Sequence, residues 1–204
     1  MKFSFIIISM LVSHFLFAHQ PDLSNVIISK TDNGQIILQI NSSLTAFQQE
    51  VNYINGEGVY KSPEEFQDLA IAHFKNSFSI VVNDRDTLQL KNPKVFLGHE
   101  TKLVAEIIGL PDKVNTIDLK NELFKDIYNS QSIIIFLIDE FPKQKFTLNK
   151  DNNHEINLES LNGTWQPLKM QSAGFNSNYL IFLVILLAAS LLLYFIRKRK
   201  KLNE

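Results

Sequence analysis

Beyond the first 18 residues the chain has four histidines, and these are the side chains whose type best suits chemistry: His19, His73, His99 and His154. Neutral imidazole is a common metal ligand, and nitrogen-rich tetragonal sites suit Cu(II). Cleavage after Ala18 would make His19 the first residue of the mature chain. An N-terminal histidine presents its α-amine and its imidazole to the same ion. His99, beside Glu100, is the best second ligand, so His19 and His99 form the candidate site for copper or another divalent ion. The other two read as structural. His73 falls on the apolar stripe of an expected helix, and His154 follows the polar turn Asp151-Asn152-Asn153. No pair of histidines has the spacing of a dedicated metal motif.

Acid–base chemistry has less to work with. Asp139-Glu140 and the Asp84/Asp86 pair are carboxylate neighbours. Adjacent residues of a strand point to opposite faces, so Asp139 and Glu140 do not make an acid/base pair, and both sets read as turn residues. There is no phosphate-binding glycine loop, no G-x-S-x-G, no H-E-x-x-H and no dinucleotide fingerprint. The chain also lacks cysteine, which excludes disulfides, thiolate metal sites, thiol nucleophiles and a lipidated N-terminal cysteine. A hydrolase assembled from distant segments is one alternative function. A non-enzymatic binding or accessory module is the leading one, and a periplasmic copper-type domain using His19 lies between them.

The two ends decide where these residues operate. Tyr179–Ile196 is apolar apart from Ser190 and is followed at once by Arg197-Lys198-Arg199-Lys200-Lys201. A helix of ~20 apolar residues crosses a ~30 Å hydrocarbon layer, and a basic cluster directly after it stays in the cytoplasm. At the other end, Lys2 precedes the apolar stretch Phe3–Val12, and Ser13–Ala18 leads to the cleavage site of a signal peptide. The expected layout is therefore a signal peptide over 1–18, an extracytoplasmic domain over 19–170, a polar tether over 171–178, a membrane helix over 179–196 and a cytoplasmic tail over 197–204. This layout corresponds to the inner membrane of a bacterial cell, with another envelope protein as the expected partner. Net charge is −1 overall, but His19–Ser177 holds 14 Lys and Arg against 20 Asp and Glu, a balance of −6. An acidic outer domain does not recruit nucleic acid.

Between the ends, β-branched runs alternate with turn signals. Val26–Ile28 and Gln35–Ile40 flank Thr31-Asp32-Asn33-Gly34, the pattern of a hairpin. Asn41-Ser42-Ser43-Leu44 ends the second strand, and the segment through Phe47, Val51, Tyr53 and Ile54 has a weaker pattern. Ser62-Pro63-Glu64-Glu65 starts a helix, with Phe66, Leu69, Ala70, His73 and Phe74 on one face. A further hairpin is expected at Phe78–Val82 with Thr87–Leu90, and strands over Lys94–Leu97 and Leu103–Ile108 follow, joined through Gly98-His99-Glu100. A strand over Val114–Leu119 follows, and Leu123, Phe124, Ile127 and Tyr128 form a short helix or a packed loop. Ile133–Ile138 is continuously apolar, the signature of a central strand buried on both faces. Asn162-Gly163 makes the last turn, and Phe141 and Tyr60 are candidate exposed anchors for a partner. Strands recurring roughly every 8–12 residues predict a mainly β, immunoglobulin-like sandwich with one inserted amphipathic helix, plus the C-terminal transmembrane helix.

Three stretches carry a likeness to known proteins: Ala18-His19-Gln20-Pro21-Asp22-Leu23-Ser24, Ser43-Leu44-Thr45-Ala46-Phe47 and Leu97-Gly98-His99-Glu100-Thr101. Over most of the outer domain the chain resembles uncharacterised exported bacterial membrane-anchored proteins of unknown function. The Ala-His junction is also similar in style to the periplasmic N-terminal regions of HupE/UreJ-type metal permeases, although the several membrane helices of those proteins have no counterpart here. The CopC type of periplasmic copper protein likewise begins with histidine, but its methionine-rich motif is missing. What these likenesses imply is a role near metal handling in the envelope.

Overall fold

The computed structural model describes residues 23–139 and 141–168. The expected signal peptide, His19, Glu140, the membrane span and the basic tail lie outside the described residues. Among the described residues, no helix is long and apolar enough to cross a membrane.

The chain is mainly β, in two sheets. The first has six strands: β1 (Leu23–Lys30), β2 (Ile36–Ser43), β5 (Gln89–Phe96), β6 (Glu100–Ile108), β8 (Gln131–Leu137) and β9 (Phe146–Leu148). Their spatial order is β5-β6-β2-β1-β8-β9. The second holds β3 (Phe78–Val82), β4 (Asp86–Thr87), β7 (Thr116–Asn121), β10 (Glu155–Leu161) and β11 (Thr164–Pro167), in the order β11-β10-β7-β3-β4. Pairing is antiparallel except between β1 and β8, which run parallel with Leu23 opposite Gln131 and Ser29 opposite Leu137. The core is formed by the alternate residues of both sheets. Val26, Leu38, Ile40, Leu103 and Ile134 come from the first sheet, and Ile117, Leu119 and Leu158 from the second; all are fully buried. Each such side chain contributes about 1.5–3 kcal/mol by leaving water.

Local chemistry explains the turns. At Thr31–Gly34 the glycine N–H donates to the Thr31 carbonyl at 2.9 Å, and Gly34 takes the positive φ (86°) that closes the hairpin. Asn162 (φ 52°) and Gly163 (φ 78°) connect β10 to β11 as a two-residue turn with both centres left-handed, the geometry for which Asn-Gly is favoured.

Four expectations need correction. Two helices are present where one was expected: α1 (Leu44–Asn55) precedes α2 (Pro63–Ser77). Ser43, read as a strand terminus, also caps α1, its hydroxyl accepting from the Ala46 N–H at 3.0 Å. The inward stripe of α1 includes the buried carboxylic residue Glu50 beside Phe47 and Val51, which weakens its apolar period. The apolar run in β8 is not buried on both faces. Ser132, Ile134 and Phe136 point into the core, whereas Ile133 and Ile135 are half-buried and Leu137 is 59% exposed. Only Asp86–Thr87 returns to pair with β3. From Gln89 the chain has crossed to the other sheet, leaving the Leu88 N–H on the Ile80 carbonyl (2.9 Å) at the crossing. Phe141 and Tyr60 are not exposed anchors but pack against the core. Phe141 lies between Phe136 and Trp165 at ring separations of 5.5 and 6.1 Å, and Tyr60 lies on Phe66 at 4.9 Å.

Candidate functional site

At the end of the two-sheet domain where β1 and β8 begin, the connection from β7 to β8 faces the turn between β9 and β10 across an open cleft of 690 Å³. Its walls are Glu122–Gln131 on one side and Asn149–His154 on the other. The first wall is held from behind by both helices. The Phe47 ring of α1 meets Phe124 edge-on at 5.0 Å, and the Glu50 carboxylate accepts from the Asp126 N–H at 3.1 Å. From α2, the Ser77 carbonyl accepts from the Glu122 N–H at 2.8 Å, and His73 reaches the Leu123 carbonyl at 2.9 Å.

His73 is thereby explained. Its Nε2 faces a carbonyl and must donate, and in the neutral ring Nδ1 then accepts from the Ser77 hydroxyl at 3.0 Å. Both ring nitrogens are engaged. Burial lowers its pKa, against the raising effect of the Leu123 bond. His73 is a fastener for the loop, as its position on an apolar stripe suggested.

Beneath the cleft a buried polar chain joins the two sheets. Asn121 of β7 donates through Nδ2 to the Ser132 hydroxyl of β8 at 2.9 Å, and Ser132 meets the Ser24 hydroxyl of β1 at 2.7 Å. Ser24 directs its own proton to the Gln131 carbonyl (3.4 Å), which makes Ser132 the donor to Ser24. The remaining end of Asn121, Oδ1, accepts from the Leu123 N–H at 3.3 Å. Each member is almost fully buried, and the chain satisfies all of them in one direction.

Two buried groups beside the cleft are less well served. Glu50 is 1% exposed, and its second oxygen, Oε2, has no hydrogen-bond partner among the described residues. Burial pushes its pKa up to about 7, with the Asp126 charge adding to the rise and the backbone bonds from Asp126 and Ile127 opposing it. The Ser130 hydroxyl, on the cleft wall, is also buried and without a partner among the described residues.

The opposite wall is a tight 3₁₀ turn, Lys150–Asn152, capped by Asn149, whose Oδ1 accepts from the Asp151 N–H at 3.0 Å. Asn153 and His154 follow in left-handed conformation (φ 54° and 56°). The His154 main chain is tied on both sides, its N–H to the Asn149 carbonyl (2.8 Å) and its carbonyl to the Asn121 N–H (2.9 Å). Its ring borders the cleft, with a pKa lowered by burial and partly restored by the Glu122 charge.

Of the sequence-predicted metal pair, His19 lies outside the described residues, so the described fold places only His99. His99 is exposed in the β5–β6 turn, which the Thr101 hydroxyl closes by donating to the Gly98 carbonyl at 3.1 Å. Among the described residues no group of three His, Cys, Asp or Glu side chains is placed to hold a metal. Of the carboxylates read as turn residues, Asp84 and Asp139 lie in turns, Asp86 instead opens β4, and Glu140 lies outside the described residues. Asp84 accepts from the Thr116 hydroxyl at 2.9 Å, and exposed Asp139 lies 3.6 Å from Lys143.

Glu50, Asn121, Ser130 and Tyr128 were missed in sequence. Only Tyr128 left a signal: it extends the apolar set Leu123, Phe124, Ile127, yet it is 80% exposed while the other three are buried. A scan of the chain against protein-family models returns no match, and neither does a search of curated protein sequences.

Proposed function

We propose that the chain is a non-enzymatic binding or accessory module, exported and held on a bacterial inner membrane by Tyr179–Ile196, with its folded domain outside the cytoplasm and an envelope protein as partner. The cleft is its contact surface. One observation carries the binding role: a concave site made of turns, mounted on a rigid two-sheet frame and braced from behind by two helices. Loops positioned by a scaffold in this way are the usual place for recognition. The membrane arrangement rests on the apolar run, the basic cluster after it and the apolar stretch Phe3–Val12 near Lys2. An immunoglobulin-like sandwich is the finer description we favour for the frame, supported by two largely antiparallel sheets whose inward residues alternate.

The test is co-purification of the tagged full chain from membranes in mild detergent, with a Tyr128→Ala variant alongside. A stoichiometric envelope protein that is recovered with the parent and depleted with the variant is the expected result. Equal recovery of nothing by both sinks the partner reading.

A second reading has one observation in its favour. The His99 ring is exposed and makes no hydrogen bond among the described residues, so it is available as a ligand to an ion held by His19. Calorimetric titration with Cu(II) decides it: tight binding should vanish when one glycine is added before His19.

A further inference from the structure

We propose that the cleft between Glu122–Gln131 and Asn149–His154 is a binding site for a neutral oligosaccharide, with Tyr128 as the platform on which a sugar ring lies. This rests on the reading of the cleft as a binding surface, and it puts a sugar there in place of the envelope protein.

Three features of the cleft point the same way. The first is the platform. The Ser130 N–H donates to the Ile127 carbonyl at 3.2 Å, closing a four-residue turn in which Asn129 takes the positive φ (57°). That is the pattern of a type II turn, with Tyr128 at its second position. Ile127 is buried and fixes the turn, while Tyr128 is thrown outward at 80% exposure. The turn therefore fixes the backbone that carries the ring and leaves the ring open to the cleft and to water. An aromatic ring presents a large amphipathic surface at low entropic cost, and the C–H-rich face of a pyranose is its natural complement.

The second feature is the polar lining. The side chains of Asn129, Gln131 and Asn153 make no hydrogen bonds among the described residues, and the Ser130 hydroxyl is buried on the cleft wall without a partner there. An amide supplies two donors and an acceptor, and a hydroxyl supplies both roles. Sugar hydroxyls likewise need donors and acceptors together, and a buried hydroxyl without a partner gains most from meeting one.

The third is charge. Glu122 is committed to Lys120 (3.1 Å) and Lys125 (3.7 Å). What remains on the walls is Lys150 against Asp126 and Asp151, a mixture with no dominant sign. A site for phosphate or a metal cation concentrates one sign of charge. This one does not, and its 690 Å³ falls within the roughly 300–1,000 Å³ of ligand clefts.

The experiment uses the full chain in a detergent without a sugar headgroup. Calorimetric titrations with cellotetraose, maltotetraose and tetra-N-acetylchitotetraose are set beside tetragalacturonate, their anionic counterpart. We expect saturable binding of at least one neutral tetrasaccharide, weakened at least tenfold in Tyr128→Ala and changed less than threefold in Tyr128→Phe, which keeps the ring. Tyr53→Ala, which removes another exposed tyrosine outside the cleft, should change nothing. Unshifted Trp165 emission in each variant verifies the fold. No binding of any neutral sugar, tighter binding of tetragalacturonate, or binding indifferent to Tyr128→Ala overturns the proposal. The two readings fail separately: if sugars do not bind but Tyr128→Ala depletes the co-purified envelope protein, the binding module stands and the sugar falls.

Discussion

The two-sheet domain has a cleft at each end, and the two are built in different ways. Where β1 and β8 begin, the 690 Å³ cleft has a wall supported from behind by two helices, a buried carboxyl group and a half-buried histidine. Where they finish, a cleft of 790 Å³ is bordered by Lys30, Leu110–Asn115, Ile138 and Gly163. Its turns hold one another directly. Asn83 accepts from the Asn115 N–H at 2.8 Å and donates to the Lys113 carbonyl at 3.0 Å, and the stacked Phe141 and Trp165 rings close the side. The second end is self-contained. The first depends on packing and on protonation at a distance from its own chain segment, so its shape is coupled to the core. Recognition loops that must keep one conformation without being rigid in themselves are served by that coupling.

The strongest way to break this comparison is to remove the support on each side. Phe47→Ala deletes a fully buried ring behind the first cleft and should destabilise the domain by about 3–5 kcal/mol. Phe141→Ala, at the second, removes a partly exposed ring and should cost about half as much. Urea unfolding followed by the emission of the single tryptophan, Trp165, measures both. Equal losses would mean the ends are braced alike.

Asn121→Ala comes next. It leaves the Leu123 N–H without its side-chain acceptor and Ser132 without its donor, for an expected loss of about 3 kcal/mol. Asn83→Ala, at the other end, exposes its freed groups to water and should stay near 1 kcal/mol.

The pH dependence sharpens the contrast. Glu50 has its pKa raised to about 7 in the folded state, from 4.5. The folded protein therefore holds this proton more tightly than the unfolded chain. The resulting stability is complete below about pH 4.5 and is lost as pH rises through about 7. His73 has the opposite sign: its pKa is lowered, so its contribution is present above 6.5 and is lost as the pH falls below that. Glu50→Gln should abolish the alkaline decline, a difference on the order of 2 kcal/mol between pH 5 and pH 8. A decline that persists in Glu50→Gln would place its origin elsewhere.

The smallest effect belongs to the second of the two candidate metal ligands. His99 is exposed in a turn closed by other groups, so His99→Ala should shift stability by less than about 0.5 kcal/mol. A larger loss would reveal a structural role that its surroundings do not suggest.

Much of the frame was legible because its causes are local. The Thr31–Gly34 and Asn162-Gly163 turns need backbone conformations that few residues adopt, and Ser62 caps α2 by accepting from the Glu65 N–H at 3.2 Å, as the Ser-Pro-Glu-Glu run suggested. The strands on either side of His99 were legible as well, and the structure pairs them as β5 and β6. The first helix was hidden because Glu50 occupies its inward stripe, and an acidic residue reads as a solvent face until its burial is known. The cleft was hidden more deeply, since Glu50 meets Asp126 and Asn121 meets Ser132 through side chains whose need for a partner has no sequence period.

The chain's residue pattern by itself determined the alternating strands, their turns, the α2 cap and the absence of thiol chemistry, because each depends on neighbours a few residues apart. Only the tertiary structure decided that β1 lies parallel to β8, that the chain changes sheets after Thr87 and that Tyr128 faces water while Ile127 does not. These outcomes depend on which surfaces are left to bury once both sheets have formed. That is a property of the whole core, and no local stretch carries it.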